Sequence, residues 1–505
     1  MTDSVELVGQ SLSPATRETF EDRVDDQAAF LQAALERGDL DTEGFAIGLE
    51  LEVYAVDDDG RLTPIPEGVF EQCNKELGRH NAELNTDPDP FTADGLDAQA
   101  QALEEQWDLA QTAASDHGCD LVLDAMWTTP PAEGSVAYLG DTADHDGTDL
   151  PTNMRSVPRY WAIDRHCVEL AGGAVPFDVP GTSVEFPTIL FESLATSIQP
   201  HVQIPDAAQF PRYHNLGIRT LGPVLALGTN SPFLPGDMYD EGADPEQLLA
   251  ETHHELRIAA FEQSVNHTDP PKVRVPEDLH SPRDAVDHVV ADPLLAPFLA
   301  EWVEGAKKGF TGDIWEFDHK RGTFWRWLRG VIGGEHVDGI GGRRSIRIEY
   351  RPLPTQPSIR DTVGFQALVG GLLRGLVAAD HPLGDLDHDA AERSFYEAVE
   401  NGLDGELAWI TADGEPTSDS ETVFAEVFEY ARRGLEQQGI DDATASRYLD
   451  PLEARWEART TPSQWKIDRA RAELDAGASL EDALATVQSE YARLSRDHDT
   501  FADWL

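Results

Sequence analysis

The sequence predicts an α+β protein, in which a mainly antiparallel sheet is covered by helices. Several short stretches alternate apolar and polar residues, as strands with one buried face do. Long stretches near both ends instead repeat apolar residues at helical spacing. Beyond Asp380 strand-forming residues become rare, so the last part of the chain is expected to be helical.

Apolar spacing from Ser13 to Arg37 predicts the first long helix. The pair Ser13-Pro14 is a typical helix start, and Gly38 is a typical stop. We therefore expect residues 1–43 to form an N-terminal helical segment ahead of the sheet.

The sheet is expected to begin at Gly44. From Phe45 to Val53 the odd positions are apolar, so an extended strand places Glu50 and Glu52 on one face. The acidic turn at residues 57–60 then predicts a hairpin. It lacks the later Glu of an EF-hand loop, so we interpret it as a solvated turn rather than a calcium site.

The same alternation recurs in three later stretches, which are Glu83-Leu84-Asn85, Ser197 to Ile204 with His201 and Gln203, and Arg347-Ile348-Glu349-Tyr350-Arg351. If these strands share one sheet, their polar side chains line a common face. Carboxylates suit hard divalent cations and arginine suits phosphate, so the face is predicted to hold a metal–nucleotide complex. For any single stretch, an ordinary antiparallel strand with one solvated face is the alternative.

The remaining elements follow from the same spacing rules. We expect helices at Gly95–Gly118, near Pro158 and at Arg212–Leu227, a strand at Leu121–Leu123, and a loop over residues 140–153. The glycine-rich run from Gly330 to Gly342 is expected to form turns before a strand; backbone that approaches phosphate is the alternative.

Three segments after Asp380 have helical periodicity, namely Ala390–Leu403, Thr422–Gln438 and Ala443–Gln488. We therefore predict a catalytic domain over residues 44–380 and a helical C-terminal extension over 381–505. The extension is open to three interpretations: a cap, a dimerisation element or a separate small domain.

Composition restricts the partners and the compartment. The 38 Lys and Arg against 94 Asp and Glu give a net charge of −56, which we interpret as adaptation to concentrated salt rather than to a polycationic partner. No basic stripe exists to bind nucleic acid. The three cysteines lack Cys-x-x-Cys spacing, and neither a signal peptide nor a membrane span is evident. A cytoplasmic protein without a membrane partner is expected.

Arginines outside the alternating strands are further candidates. Arg326, within Trp325-Arg326-Trp327-Leu328-Arg329, and Arg257 could bind the carboxylate of an acidic substrate with their planar guanidinium groups. Structural ion pairing is the alternative in so acidic a chain.

Five stretches match the pattern of a known family. In order along the chain, they are Gly48-Leu49-Glu50-Leu51-Glu52, Glu83-Leu84-Asn85-Thr86, His201-Val202-Gln203, Ala226-Leu227-Gly228-Thr229-Asn230-Ser231-Pro232-Phe233 and Ile348-Glu349-Tyr350-Arg351-Pro352. Together they resemble the glutamate–cysteine ligase and carboxylate–amine ligase family. The resemblance extends from about Gly44 to Asp380. It implies a glutamine-synthetase-like fold, in which a curved, mainly antiparallel sheet forms half a funnel with helices outside.

The resemblance also implies roles for the polar residues. Metal ligands would be Glu50, Glu52, Glu83 and Glu349; His201 and Gln203 would contact metal or nucleotide phosphate; Arg351 would stabilise the transferring phosphoryl group; and Asn85 would contact substrate. On the chemistry of arginine alone, we add Arg347 as a nucleotide-binding residue, Arg326 as a catalytic arginine and Arg257 as a substrate-binding residue. The implied cofactors are ATP and two or more Mg²⁺ ions, with Mn²⁺ as an alternative metal.

The function that follows is ATP-dependent amide formation through an acyl phosphate, with the γ-carboxyl of glutamate and an amine such as cysteine as substrates. The alternatives are a phosphotransferase of the same fold and a non-catalytic nucleotide- or amino-acid-binding relative. Expected partners are small amino-acid substrates, with a homo-oligomer as an option. One departure from the family is Met126-Trp127-Thr128-Thr129-Pro130, where relatives have Gly-x-His/Thr-Pro, and it leaves the acceptor amine open.

Overall fold

A strongly curled antiparallel sheet of eight strands lies at the centre of the protein. The computed structural model describes residues 2–145, 147–303, 305–306, 308–334, 336–342 and 344–505. Its strands are β1 (Ala46–Val56), β2 (Asn74–Lys75), β3 (Asn81–Asn85), β4 (Asp89–Pro90), β5 (Asp120–Val122), β6 (Thr142–His145), β7 (Thr148–Pro151), β8 (Val175–Val179), β9 (Thr182–Phe186), β10 (Ile198–Ile204), β11 (Leu328–Gly333), β12 (Ser345–Tyr350), β13 (Trp409–Ile410) and β14 (Pro416–Thr417). The order of the central sheet is β11-β12-β10-β1-β3-β2, with β4 and β5 also paired to β1.

Seventeen α-helices surround this sheet within the described residues. They are α1 (Thr2–Ser11), α2 (Pro14–Glu36), α3 (Ala93–Ser115), α4 (Ser135–Gly140), α5 (Pro158–Leu170), α6 (Phe210–Gly228), α7 (Pro245–Glu251), α8 (Leu256–Val265), α9 (Asp284–Ala291), α10 (Gly309–Asp313), α11 (Trp315–Arg321), α12 (Ile359–Ala378), α13 (His388–Asn401), α14 (Ser420–Gln437), α15 (Asp442–Glu457), α16 (Pro462–Asp475) and α17 (Leu480–Asp497). None of them combines the length and the apolar character needed to cross a bilayer.

The predicted α+β class and the curved antiparallel sheet are confirmed. Along these strands, apolar and polar side chains alternate and therefore lie on opposite faces of the sheet, as expected. The apolar side chains of β1, β10 and β12, including Leu51, Val202 and Ile348, are buried beneath α6 and α12. The polar side chains therefore lie together on the opposite face.

The first long helix is also confirmed. The side chain of Ser13 accepts a hydrogen bond from the backbone N–H of Thr16 and so caps α2, and Gly38 follows the helix with φ of +72°. The structure likewise has helices close to the predicted bounds at α3 and α6, and a strand at β5.

Two local predictions were wrong. Residues 140–153, expected as a loop, contain the hairpin of β6 and β7. The glycine run, expected to form turns before a strand, begins inside the edge strand β11. A Cβ added at Gly330 would lie 3.0 Å from the ring of Phe210, so glycine here permits α6 to pack closely on the sheet rather than forming a turn.

The C-terminal helices pack against the sheet-bearing part of the chain. Helix α14 lies along α12, and apolar residues of α14 and α15 belong to the same hydrophobic core as the sheet. The predicted helical stretch from Ala443 to Gln488 is divided into α15, α16 and α17. The breaks fall at Arg459 and Gly477, which have positive φ values. The division into residues 1–43, 44–380 and 381–505 stays a prediction.

Candidate active site

The strand register aligns the polar side chains in rows across the sheet. Glu50 lies opposite Gln199 on one side and Asn85 on the other, and Glu52 lies opposite Glu83. One row further along, His201 lies opposite Glu349, which in turn lies opposite Arg329. Gln203 lies opposite Arg347. The alternating stretches therefore share one face, and their side chains meet there.

Two cavities open on this face and share Glu50. We call the first the amide cavity; it has a volume of about 260 Å³ and is lined by Glu50, Asn85, His201, Gln203, Arg347 and the apolar residues Ala46, Ile47 and Val337. We call the second the carboxylate cavity; it has a volume of about 280 Å³ and is lined by Glu50, Glu52, Glu76, Glu83, Glu192, Gln199, Arg159, Tyr160, Arg329 and Arg351.

Two groups of oxygen and nitrogen atoms on this face have the spacing of metal ligands. Glu50, His201 and Glu349 offer atoms that all lie within 4.8 Å of one another, and so do Glu52, Glu76 and Glu83. Carboxylate oxygens around one point are the donors that Mg²⁺ takes in proteins. The chemistry of both groups therefore fits a hard divalent cation.

Crowding of the carboxylates makes their negative charge costly. Burial raises the pKa of Glu50 to about 8, and the charges of Glu349 and Glu83 act in the same direction. Burial also raises the pKa of Glu83 to about 7 and that of Glu192 to about 8, in both cases with a contribution from Glu52. A cation bound among these carboxylates would lower their pKa values and so favour their ionised forms at neutral pH.

Glu349 behaves differently from its neighbours. Burial acts to raise its pKa, but the charges of Arg329 and Arg351 outweigh burial and hold the pKa well below its usual range. The guanidinium of Arg329 donates two hydrogen bonds of 2.9 Å to the Glu349 carboxylate, and one Nη of Arg351 donates to both Glu349 and Gln199. The site thus contains one carboxylate that is ionised regardless of metal.

His201 is held in one tautomer. Arg347 Nε donates to His201 Nδ1 at 3.0 Å, and an arginine can only donate, so Nδ1 must accept. Burial lowers the pKa of His201 to about 3, with the charge of Arg347 as the next cause, so the ring is neutral and its proton is on Nε2. Nε2 lies 3.4 Å from Glu50 Oε1. The ring can therefore donate a hydrogen bond toward the junction of the two cavities.

Gln203 and Asn85 complete the amide cavity. Gln203 Nε2 donates to Thr42 Oγ1 at 3.2 Å, and Asn85 Nδ2 donates to Glu83 Oε1 at 2.8 Å. Asn85, which lies opposite Glu50, is therefore hydrogen-bonded to Glu83, a member of the Glu52, Glu76 and Glu83 ligand group.

The structure does not bring Arg326 or Arg257 to either cavity lining. Arg326 donates to Asp292 at 2.7 Å and to the backbone oxygen of Lys272, within a buried ion cluster. Arg257 pairs with the buried carboxylate of Glu255 and donates to the backbone oxygen of Pro352. Both guanidinium groups thus have protein partners, which is the ion-pairing alternative named above.

Several lining residues were missed in the sequence. Arg329 belongs to the same tryptophan-rich cluster as Arg326, and it lies four residues after Trp325, which also lines the carboxylate cavity; this even spacing was the available signal. Gln199 lies in the alternating stretch of His201, so the same rule includes it. Glu76 lies between the short strands β2 and β3, and Glu192 lies in a single 3₁₀ turn, so neither had a periodic signal.

The stretch from Ala226 to Phe233, one of the five that carry the family resemblance, lies outside both cavity linings. Asn230 Nδ2 donates to the backbone oxygen of Thr355 and to the hydroxyl of Tyr491, both at 2.8 Å. Ser231 Oγ donates to Glu255 Oε1 at 2.7 Å. The motif therefore joins the end of α6 to α17 and to the strand-end segment after β12.

Comparison with known proteins gives a family match over most of the chain. The model of glutamate-cysteine ligase family 2 matches residues 46–488, a range that continues past Asp380 into the C-terminal helices. Among curated proteins none matches the sequence.

Solved structures are similar at low sequence identity. The glutamate–cysteine ligase of Francisella tularensis, in complex with AMP, is 12% identical with a TM-score of 0.47; the match covers 91% of this chain and 90% of that one. A bifunctional glutathione synthetase from Pasteurella multocida is 14% identical with a TM-score of 0.47, over 91% of this chain and 53% of that one. The Pup ligase PafA is 11% identical with a TM-score of 0.35, over 91% and 72% of the two chains.

Proposed function

The chain belongs to glutamate-cysteine ligase family 2, and from this membership we propose that its polar sheet face joins the γ-carboxyl group of glutamate to an amine, such as that of cysteine, at the expense of ATP. The observation on which the proposal depends most is the position of Glu50. Its carboxylate borders both cavities, and it belongs to one of two adjacent ligand groups.

The amide cavity suits the nucleotide. Ala46 and Val337 line it and form a small buried apolar cluster with Ile340, against which a purine base could pack. Arg347 and the Nε2–H of His201 can donate hydrogen bonds to phosphate oxygens, and Gln203 lies opposite Arg347 in the strand register. The phosphates would therefore lie toward Glu50.

The two ligand groups suit Mg²⁺, with Mn²⁺ as the alternative. Glu50 and Glu349 would hold one ion, and Glu52, Glu76 and Glu83 would hold the other. Bound there, the ions would neutralise the charge of the phosphates as they approach the anionic carboxylate.

The carboxylate cavity suits the amino-acid substrates. Arg351 uses one Nη in its two hydrogen bonds, so its other N–H groups are available to the transferring phosphoryl group. The substrate carboxylate oxygen attacks the γ-phosphorus and ADP leaves. The amine nitrogen then attacks the acyl carbon, the bond from carbon to the phosphate oxygen breaks, and inorganic phosphate and the amine proton are released.

The experiment follows ADP and product mass when purified protein is incubated with ATP, Mg²⁺, glutamate and a panel of amines, over a series of KCl concentrations. We expect ADP formation to require both glutamate and an amine, with an amide as product. A stable phosphorylated product without an amide would favour a phosphotransferase instead. ADP at background with every acceptor would contradict the ligase proposal.

A further inference from the structure

Three arginines line the carboxylate cavity, and they differ in their partners. Arg329 binds Glu349, and Arg351 binds Glu349 and Gln199. Among the residues that the structure describes, Arg159 has a backbone partner alone, since its Nη2 donates to the carbonyl oxygen of His319 at 3.1 Å. Within the described part of the chain, no carboxylate oxygen lies within 4.0 Å of its guanidinium. Although the chain has 94 acidic and 38 basic residues, the Arg159 guanidinium is available to a carboxylate from outside the chain.

Arg159 also borders a second, aromatic cavity. This cavity has a volume of about 500 Å³ and is lined by Phe298, Trp302, Trp315 and His319. The guanidinium is thus part of the wall between an apolar space and the carboxylate cavity. Burial lowers the pKa of Arg159 against the opposing charges of Tyr160 and Asp318, and the Asp318 carboxylate is itself paired with Arg321. In such surroundings a bond to a carboxylate is stronger than at an open surface.

Gly322 keeps the place of this guanidinium free. A Cβ on Gly322 would lie 2.2 Å from Arg159 Nη2, which is closer than any side chain permits. Gly322 lines the carboxylate cavity as well. The chain therefore brings bare backbone against Arg159 at the point where it borders the cavity.

The neighbouring residue connects Arg159 to the acidic groups. Tyr160 lines the same cavity, and the charges of Glu76, Glu83 and Glu192 act on its hydroxyl. A carboxylate bound to Arg159 would therefore have the rest of its molecule beside the second candidate metal group.

We propose that Arg159 binds a non-reacting carboxylate of one of the two substrates. This inference rests on the proposed ligase function. The carboxylate has two sources: the α-carboxylate of the acid substrate, or the carboxylate of an acceptor that is itself an amino acid. Arg159 would thereby take the role expected of Arg326 and Arg257, which line neither cavity and are paired with Asp292 and Glu255.

The test compares substrates with and without that carboxylate. Glutamate is paired with 4-aminobutyrate, and cysteine is paired with cysteamine, and kcat/KM is measured for each member. We expect the wild-type enzyme to prefer the carboxylate-bearing member of one pair by about 10- to 100-fold because of Arg159. In Arg159→Gln that preference should disappear, while the kcat/KM ratio of the other pair should keep its wild-type value; the pair that is affected identifies the source of the carboxylate.

Two further variants keep the test valid if Arg159→Gln folds poorly. Arg159→Lys retains the positive charge but not the planar guanidinium group, so it should keep part of the preference that Arg159→Gln loses. Gly322→Ala leaves Arg159 intact but displaces its guanidinium, so it should reduce the same preference. Arg165→Gln, on the same helix, is the matched control and should change neither ratio. Unchanged ratios in Arg159→Gln and Gly322→Ala would overturn the proposal.

Binding separates this inference from the ligase proposal. If the wild-type protein makes no amide, the ligase proposal fails, and the shift in melting temperature with each of the four compounds then decides the role of Arg159. A larger shift with the carboxylate-bearing member of one pair, lost in Arg159→Gln, supports the carboxylate site. Equal shifts in both proteins overturn it.

Discussion

Arg329 and Glu349 form a two-pronged ion pair across neighbouring strands, with both hydrogen bonds at 2.9 Å. The pair lies at the edge of the sheet face, with both side chains buried. It holds Glu349 in the ionised state, whereas burial raises the pKa of Glu50 to about 8. Glu349 therefore stays ionised with its arginine partners alone, whereas a bound cation would favour the ionised form of Glu50.

Replacing Arg329 by lysine tests this arrangement. Lysine keeps the positive charge but cannot donate two parallel hydrogen bonds, so Glu349 should lose part of its fixed orientation. We expect ligase activity to fall by about 10- to 100-fold while the melting temperature changes little. Steady-state kinetics and thermal unfolding measure the two effects. Wild-type activity in Arg329→Lys would show that the two parallel hydrogen bonds to Glu349 are not needed.

Glu50→Gln tests the residue shared by the two cavities. The amide keeps the shape of the side chain but removes its charge, so a bound cation loses a ligand. We expect the activity to fall by about 100-fold or more and the thermal stabilisation by Mg²⁺ to decrease. The exposed Glu18→Gln is the matched control, and it should change neither quantity. Equal Mg²⁺ stabilisation in both variants would argue against a metal at Glu50.

Glu262 gives a pH-dependent prediction away from the sheet face. Burial raises its pKa to about 7, although its Oε1 accepts hydrogen bonds from Trp327 Nε1 at 2.9 Å and from Tyr396 at 2.8 Å. Because the folded-state pKa lies above the unfolded value, the protein loses stability as pH rises from about 4.5 to 7.

The variant Glu262→Gln keeps the accepting oxygen and removes this titration. Its free energy of unfolding, relative to wild type, should increase between pH 5 and pH 8 by on the order of 1–3 kcal/mol. Denaturant unfolding at several pH values measures the difference. A difference that is constant with pH would contradict the assignment.

Lys466 tests how firmly the C-terminal helices are attached. Its Nζ binds Asp124 at 2.5 Å and the backbone oxygen of Asn230 at 2.7 Å, and both side chains of the ion pair are buried. Lys466→Met would leave Asp124 buried without its cation, which should cost about 3–5 kcal/mol of unfolding free energy. Arg471→Met, at a half-buried position of the same helix where the arginine forms a 3.5 Å ion pair with Asp468, should cost less than about 0.5 kcal/mol. Equal losses in the two variants would refute the role of the buried pair.

The sheet face could be predicted because strand geometry is periodic. Once Glu50 and Glu52 are two residues apart on a strand, their side chains share a face, and the same rule places His201 with Gln203 and Glu349 with Arg351. Periodicity along the sequence shows which side chains of a strand share a face, but not which strands are neighbours. That His201 lies opposite Glu349 is therefore known only from the strand pairing in the structure.

Other parts of the site depend on contacts between distant segments. Glu76 and Glu192 reach the cavity from irregular backbone, where sequence spacing gives no direction to a side chain. Arg326 and Arg257 have the right chemistry for a substrate carboxylate, but their buried partners Asp292 and Glu255 are not marked in the sequence. The choice among arginines therefore needed the tertiary structure.

The central claim is that the face activates a carboxylate as an acyl phosphate, and oxygen transfer tests it most directly. Glutamate labelled with ¹⁸O in its γ-carboxyl group is incubated with the enzyme, ATP, Mg²⁺ and an accepted amine, and the released phosphate is analysed by mass. One ¹⁸O atom should appear in the phosphate for each amide formed, because the attacking carboxylate oxygen leaves with the phosphoryl group. Amide formation with unlabelled phosphate would contradict the account.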